Sequence, residues 1–251
     1  MPCTTELKED GRVLVITLNH PPDNIITPET FRCLAAAVDA LEAAAGPDLA
    51  ILTGGGSVFS KGFDVAVVRS YPSSAEHGSA LLGANDLCSR LAESTKPVIA
   101  AINGACLGAG LELALACHFR LAAQKAWLGL PELSRGLLPG MGGIHRLVPL
   151  IGRAKALELI VVGNFVTAEE AHRLGLVHRV LPRADFIDRV LSVARAILSV
   201  DQALVREAVR LIGLAAAGSS HDCAAETILS ILRLPPLASK GADQPAEDPI
   251  L

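Results

Sequence analysis

Apolar positions along this chain follow two periods. The run Val13-Leu14-Val15-Ile16-Thr17-Leu18 is apolar and mostly β-branched, which predicts a strand buried on both faces and broken at Pro21-Pro22. Leu49-Ala50-Ile51-Leu52-Thr53 and Val98-Ile99-Ala100-Ala101-Ile102 predict two more such strands. Each runs into glycine: Gly54-Gly55-Gly56 after the second strand, and the turn of residues 103–110 after the third. Between the first two lies helical spacing, with Thr27 as N-cap, Pro28 at the first helical position, Phe31, Leu34, Val38 and Leu41 on one face, and Gly46-Pro47 as the stop. Residues 65–93 are polar in their first half and helical in their second. Strand, glycine loop and helix therefore alternate over the first ~190 residues, the pattern of an α/β domain with helices packed on sheets.

Beyond Gly152 the spacing turns helical. Thr167 with Glu170 three residues on predicts a capping box, and Gly175 ends that helix. Leu176-Val177-His178-Arg179-Val180 predicts a short strand closed by Pro182. Two further helices are expected over residues 185–214 and 224–232, and the four prolines of 235–251 mark a flexible tail. The domain division read from this is a core over 1–190, a helical region over 191–234 and the tail.

Charge and composition narrow the function. With 22 Lys and Arg against 26 Asp and Glu the net charge is −4, which argues against a nucleic-acid surface, and the low aromatic content offers no stacking platform for bases. Hydrophobic residues make up 51% of the 251, enough for a large core and for buried subunit interfaces. The longest uncharged stretch, residues 97–111, holds three glycines and Asn103 and falls short of the roughly 18 to 20 apolar residues of a membrane span. The polar, acidic first ten residues do not form a secretory signal, so a cytoplasmic protein is expected. Six scattered cysteines without a CxxC pair predict neither a disulfide nor a metal site.

Generic motifs fail one after another. Gly54 to Gly62 lacks the order of a phosphate loop, Gly108-Ala109-Gly110 lacks the third glycine of a dinucleotide fingerprint, and neither GxSxG nor HExxH occurs. What remains is two glycine loops at strand ends, Phe59 to Asp64 and Gly104 to Gly110, with Glu112 and Glu132 just downstream. The helix N-terminus behind the second loop offers unpaired N–H groups suited to a negative oxygen. Taken alone, Glu112 is also what a helix first turn favours, and Glu132 after Pro131 suits a solvated loop.

Taken together these segments resemble the crotonase (enoyl-CoA hydratase/isomerase) superfamily. The resemblance rests on Leu18-Asn19 with Asn24, Phe59 to Asp64, Lys96-Pro97-Val98 through Asn103-Gly104, Gly108-Ala109-Gly110-Leu111-Glu112-Leu113, Gly129-Leu130-Pro131-Glu132, Pro139 to Gly143, and Ala168 to Val177. It implies a spiral of ββα units followed by a helical C-terminal region that assembles subunits into a homotrimer or a dimer of trimers. It implies an oxyanion hole at the backbone N–H of Phe63 and of Ala109, and two catalytic carboxylates, Glu112 and Glu132, with Glu132 as proton donor to C2. Substrate contacts are expected from Ser60, Lys61, Gly62, Asp64, Gly108, Gly110, Pro131 and Gly140. The activity implied is a lyase of fatty acid metabolism that hydrates the 2,3 double bond of an acyl-CoA thioester without metal or other cofactor. The alternatives are an isomerase, dehydratase or decarboxylase of the same superfamily, or a non-catalytic CoA-thioester-binding protein.

Several positions depart from the pattern. Phe63 puts a ring where alanine is frequent, which narrows or orients the cleft. No basic residue stands near Pro21-Pro22-Asp23, leaving Lys61 and Arg69 as cations for CoA phosphates or as plain surface residues. Asp64 is a capping residue as readily as a reactive one. His118 stands where aspartate is common and reads as structural, and His145 reads as a helix-surface residue. The stretch 231–236 and the proline-rich tail replace the usual acidic-glycine-aromatic ending.

Overall fold

The computed structural model describes residues 1–70 and 74–216. The expected helix over 224–232, the tail and Cys223 lie outside them. Strands β1 (Cys3–Lys8) and β2 (Val13–Leu18) form an antiparallel pair with Cys3 opposite Leu18. Helix α1 (Pro28–Glu42) follows, capped as predicted by Thr27, whose Oγ1 accepts from Thr30 N at 3.3 Å while Thr27 N donates to Thr30 Oγ1 at 3.1 Å. A repeat then sets in: β3 (Leu49–Gly54), β4 (Val58–Ser60), α2 (Val65–Arg69) and α3 (Ser74–Glu93); β5 (Val98–Ile102), β6 (Ala105–Leu107) and α4 (Ala109–Ala116); β7 (Phe119–Ala123), β8 (Trp127–Gly129) and α5 (Gly143–Leu157). Strand β9 (Val166–Thr167), α6 (Ala168–Arg173), β10 (Arg179–Leu181), α7 (Phe186–Leu198) and α8 (Gln202–Ala216) complete the described chain.

Each repeat gives its first strand to a six-stranded sheet, β1-β2-β3-β5-β7-β10, and its second to a four-stranded sheet, β4-β6-β8-β9. This is the ββα spiral that the sequence resemblance implies. Alternation along the large sheet's strands feeds two cores. Leu14, Ile16, Ala50, Leu52, Val98 and Ala100 face the main core, and Val13, Val15, Leu49, Ile51, Ile99 and Ala101 face α7 through Val190, Leu191 and Ala194. Burial on both faces is why these strands carry unbroken apolar runs.

Some expectations need correction. The helix expected over 185–214 is two helices, because Asp201 turns back to accept from Ala203 N at 2.8 Å and starts α8 afresh. The strand expected from Leu176 begins later, at Arg179, since Leu176 N and Val177 N are taken by Ala171 O in the cap of α6. Thr167 caps α6 through Glu170 N, but the Glu170 carboxylate turns to Arg173 and Lys155, so half of the capping box forms. Residues 103–110 are more than a turn, for Ala105–Leu107 is strand β6 between β4 and β8. Cys3 and Cys33 form a disulfide, against the expectation of none. Pairing of β1 with β2 lays Cys3 beside α1 with the two Cα atoms 6.2 Å apart, within bridging distance. Cys88, Cys106 and Cys117 are buried thiols, as expected. No described helix is long and apolar enough to cross a membrane.

Candidate active site

Strands β4, β6 and β8 run parallel as neighbours, so the loops after them leave the same edge of the small sheet. Carboxyl ends of parallel strands are where α/β folds build sites. The first loop is held by Asn24, 2% exposed, whose Nδ2 donates to Gly55 O at 2.9 Å and to Val58 O at 2.7 Å. Ser60 Oγ donates to Asn24 O at 2.7 Å and accepts from Gly62 N at 3.0 Å. The second loop turns at Gly108, with φ +54°, directly into α4. The loops touch backbone to backbone: a Cβ on Gly62 would lie 2.9 Å from Leu107 O and 3.0 Å from Ala109 N, and one on Gly110 would lie 2.7 Å from Ser60 O. Glycine is required at both positions. The N–H groups of Phe63 and Ala109 have no acceptor among the described residues, and both residues line one cleft of about 190 Å³.

Glu112 and Glu132 line the same cleft in different surroundings. Glu112 sits in the first turn of α4, a helix buried on every side, and is 1% exposed. Its Oε1 accepts from Met141 N at 2.8 Å and from Gly143 N at 2.9 Å. That approach needs glycine at 143, where a Cβ would stand 2.7 Å from Oε1. Burial raises the Glu112 pKa, opposed by the N–H groups of Gly143, Met141 and Gly140 and by the Arg146 guanidinium. Glu132 opens the short 3₁₀ turn Glu132–Arg135, and neither of its buried carboxyl oxygens has a hydrogen-bond partner. Desolvation pushes its pKa up to about 7; the Glu112 charge adds to the rise, while its own backbone N–H and Arg135 oppose it. A Cβ on Gly108 would stand 3.3 Å from Glu132 Oε1, which puts this carboxyl beside the second loop. One acid is anchored and the other is unpartnered, an arrangement that can divide base and acid roles between two glutamates.

Of the expected substrate contacts, Lys61, Gly108, Pro131 and Gly140 line the cleft. Ser60, Gly62, Asp64 and Gly110 do not. They hold the loops, Asp64 by capping α2 through Ala66 N at 2.8 Å. Lys61 is paired with Asp23 at 2.7 Å, and Arg69 donates to Arg135 O at 3.1 Å. His118 Nδ1 accepts from Val98 N at 3.0 Å between two strand segments, away from the cleft, and His145 is exposed. Sequence reasoning missed the Met141 and Gly143 N–H groups under Glu112, and the walls Val68, Leu81, Leu137 and Leu138. A signal for the last two was present in the apolar pair set between Gly136 and Gly140. No group of three or more metal-ligating side chains occurs among the described residues.

Two N–H groups without an acceptor among the described residues, in one cleft with two glutamates on a ββα spiral, are the equipment of an enzyme that polarises a carbonyl and moves protons beside it. The chain belongs to the enoyl-CoA hydratase/isomerase family, whose match runs over residues 8–214. It is 42% identical over 171 residues to a probable enoyl-CoA hydratase of Bacillus subtilis, a match covering 68% of this chain and 66% of that one. It is 36% identical over 203 residues to a crotonyl-CoA hydratase of Syntrophomonas wolfei, covering 80% of this chain and 77% of that protein. Against a multifunctional β-oxidation protein of Arabidopsis thaliana it spans only 26% of the relative's length. The crystal structure of an enoyl-CoA hydratase from Bacillus anthracis superposes with a TM-score of 0.86 at 30% identity, over 92% of this chain and 90% of that one.

Proposed function

We propose that this protein is an enoyl-CoA hydratase that adds water reversibly across the 2,3 double bond of an acyl-CoA thioester. The thioester oxygen accepts hydrogen bonds from Phe63 N–H and Ala109 N–H, which stabilise the enolate that forms as hydroxide character reaches C3. Glu112 holds the water and takes its proton. Glu132, carrying a proton, delivers it to C2 and closes the addition. The single observation that carries the reading is the unpartnered, buried Glu132 carboxyl, held near pKa 7 in the cleft that Glu112 also lines. A family member that only shifts a double bond needs one such acid, and the presence of both favours hydration. The subunits are proposed to form trimers or dimers of trimers, consistent with exposed apolar side chains at Val161, Val162 and Phe165 and on α8 at Leu204 and Ile212.

The test is loss of the conjugated-thioester absorbance of crotonyl-CoA, measured beside Glu112→Gln and Glu132→Gln. Wild type is expected to hydrate it and each variant to lose at least about 10²-fold in kcat. A wild-type protein that binds CoA thioesters and hydrates none of them overturns the proposal.

A further inference from the structure

Behind the Phe63 ring lies a second cavity, of about 330 Å³, larger than the cleft in front of it. The two share the side chains of Phe63, Val68 and Leu81 as a common wall, and the Phe63 ring leans on Phe31 with centroids 5.6 Å apart. Its walls are apolar, with Ile26, Ala35 and Leu87 among them. Charge at its rim is already spent: Arg32 is paired with Glu29 and Arg90 with Asp39 and Glu42, each at 2.7 Å, and Asp86 adds a negative charge. With each arginine paired to a carboxylate and the walls apolar, an alkyl chain is the fitting guest.

We propose that the Phe63 side chain is a specificity gate for acyl length. Short 2-enoyl chains fill the cleft in front of the ring, and longer chains enter the annex behind it only when the ring gives way. The same residue thus acts through its backbone N–H on the thioester oxygen and through its side chain on the far end of the substrate. The proposal rests on the hydratase reading. Each methylene that gains the annex is worth up to about fourfold in kcat/KM, from the transfer free energy of one buried CH₂.

The experiment compares kcat/KM for crotonyl-CoA and 2-dodecenoyl-CoA in wild type, Phe63→Ala, and Phe63→Ala combined with Ala35→Phe, which refills the annex from α1. Ala80→Phe, from α3, replaces Ala35→Phe should the latter fail to fold. Phe63→Ala keeps the backbone donor and is expected to raise the long-to-short ratio at least about tenfold, and the filling substitution to return it to the wild-type value. A ratio within twofold of wild type in Phe63→Ala, or a gain that survives filling, overturns the gate. If no protein hydrates any enoyl-CoA, it is the hydratase reading that fails. The gate is then decided by the same ratios taken from dissociation constants of butyryl-CoA and dodecanoyl-CoA.

Discussion

Replacing Glu132 by Gln is expected to make the protein more stable at alkaline pH while abolishing its activity. The folded state holds the carboxyl at a pKa of about 7 against 4.5 for a free one, because both oxygens are buried without partners. A shift of that size corresponds to about 3 kcal/mol of preference for the protonated form. A raised folded pKa means the group's contribution is intact below pH 4.5, where both states are protonated, and is lost as pH rises through about 7. Glutamine carries no charge at any pH and escapes that loss. The stability difference between variant and wild type should therefore be constant below about pH 4.5 and grow by about 3 kcal/mol toward pH 8, at close to 1.4 kcal/mol per unit over the steep part. Urea unfolding of both proteins at half-unit steps from pH 4.5 to 8 measures it. Activity supplies the second readout: wild-type kcat for hydration should fall as pH rises past about 7 and Glu132 loses its proton. A stability difference that stays flat from pH 5 to 8 would refute the reasoning, since it would mean the carboxylate ionises in the folded protein as freely as in water.

Other substitutions probe the remaining parts. Ala109→Pro removes the N–H at the first position of α4, where proline is tolerated, and should lower kcat by about 10²- to 10³-fold, while Ala109→Gly keeps the donor and most of the rate; equal activity in the two would remove Ala109 from the oxyanion hole. Gly143→Ala drives a Cβ toward Glu112 Oε1, to 2.7 Å in the present geometry, and should cost at least about tenfold in kcat with an unchanged circular dichroism spectrum. His118 and His178 are kept below their ordinary pKa chiefly by burial, so the unfolded chain takes up protons first as pH drops below 6.5 and stability declines from there downward. His118→Gln should flatten that acid limb in a plot of urea midpoint against pH, and an unchanged limb would show that His118 charges freely in the fold.

How far the sequence could be read depended on where each segment finds its partners. Strands β2, β3 and β5 announce themselves because both faces are buried and nearly every residue is apolar. Strand β1 is a polar edge whose order comes from its bonds to β2, so four of its six residues are exposed and no local pattern marks it. Strand β6 is three residues inside a glycine-rich run and exists because β4 and β8 flank it. The disulfide followed from β1 and was invisible with it.

The same rule divides the site. Glu112, Glu132 and the two loops were legible because each sits in a short motif whose residues are neighbours in sequence. What holds Glu112 comes from Met141 and Gly143, about thirty residues on, and what backs Phe63 comes from α1. Ser60, Gly62 and Gly110 also let the two loops meet, a role created by the contact between β4 and β6. Three consecutive turns of one spiral thus deliver Phe63, Ala109 and Glu132 to a single edge, each just beyond one of the three parallel strands of the small sheet. Because those strands are neighbours, a slip of one residue in their register would move one of the two N–H groups by about 3.3 Å, the rise of one strand residue and roughly a full hydrogen-bond length. Glycine packed against backbone at Gly62 and Gly110 suits that sensitivity, because a contact made without side chains leaves nothing to flex between the two loops.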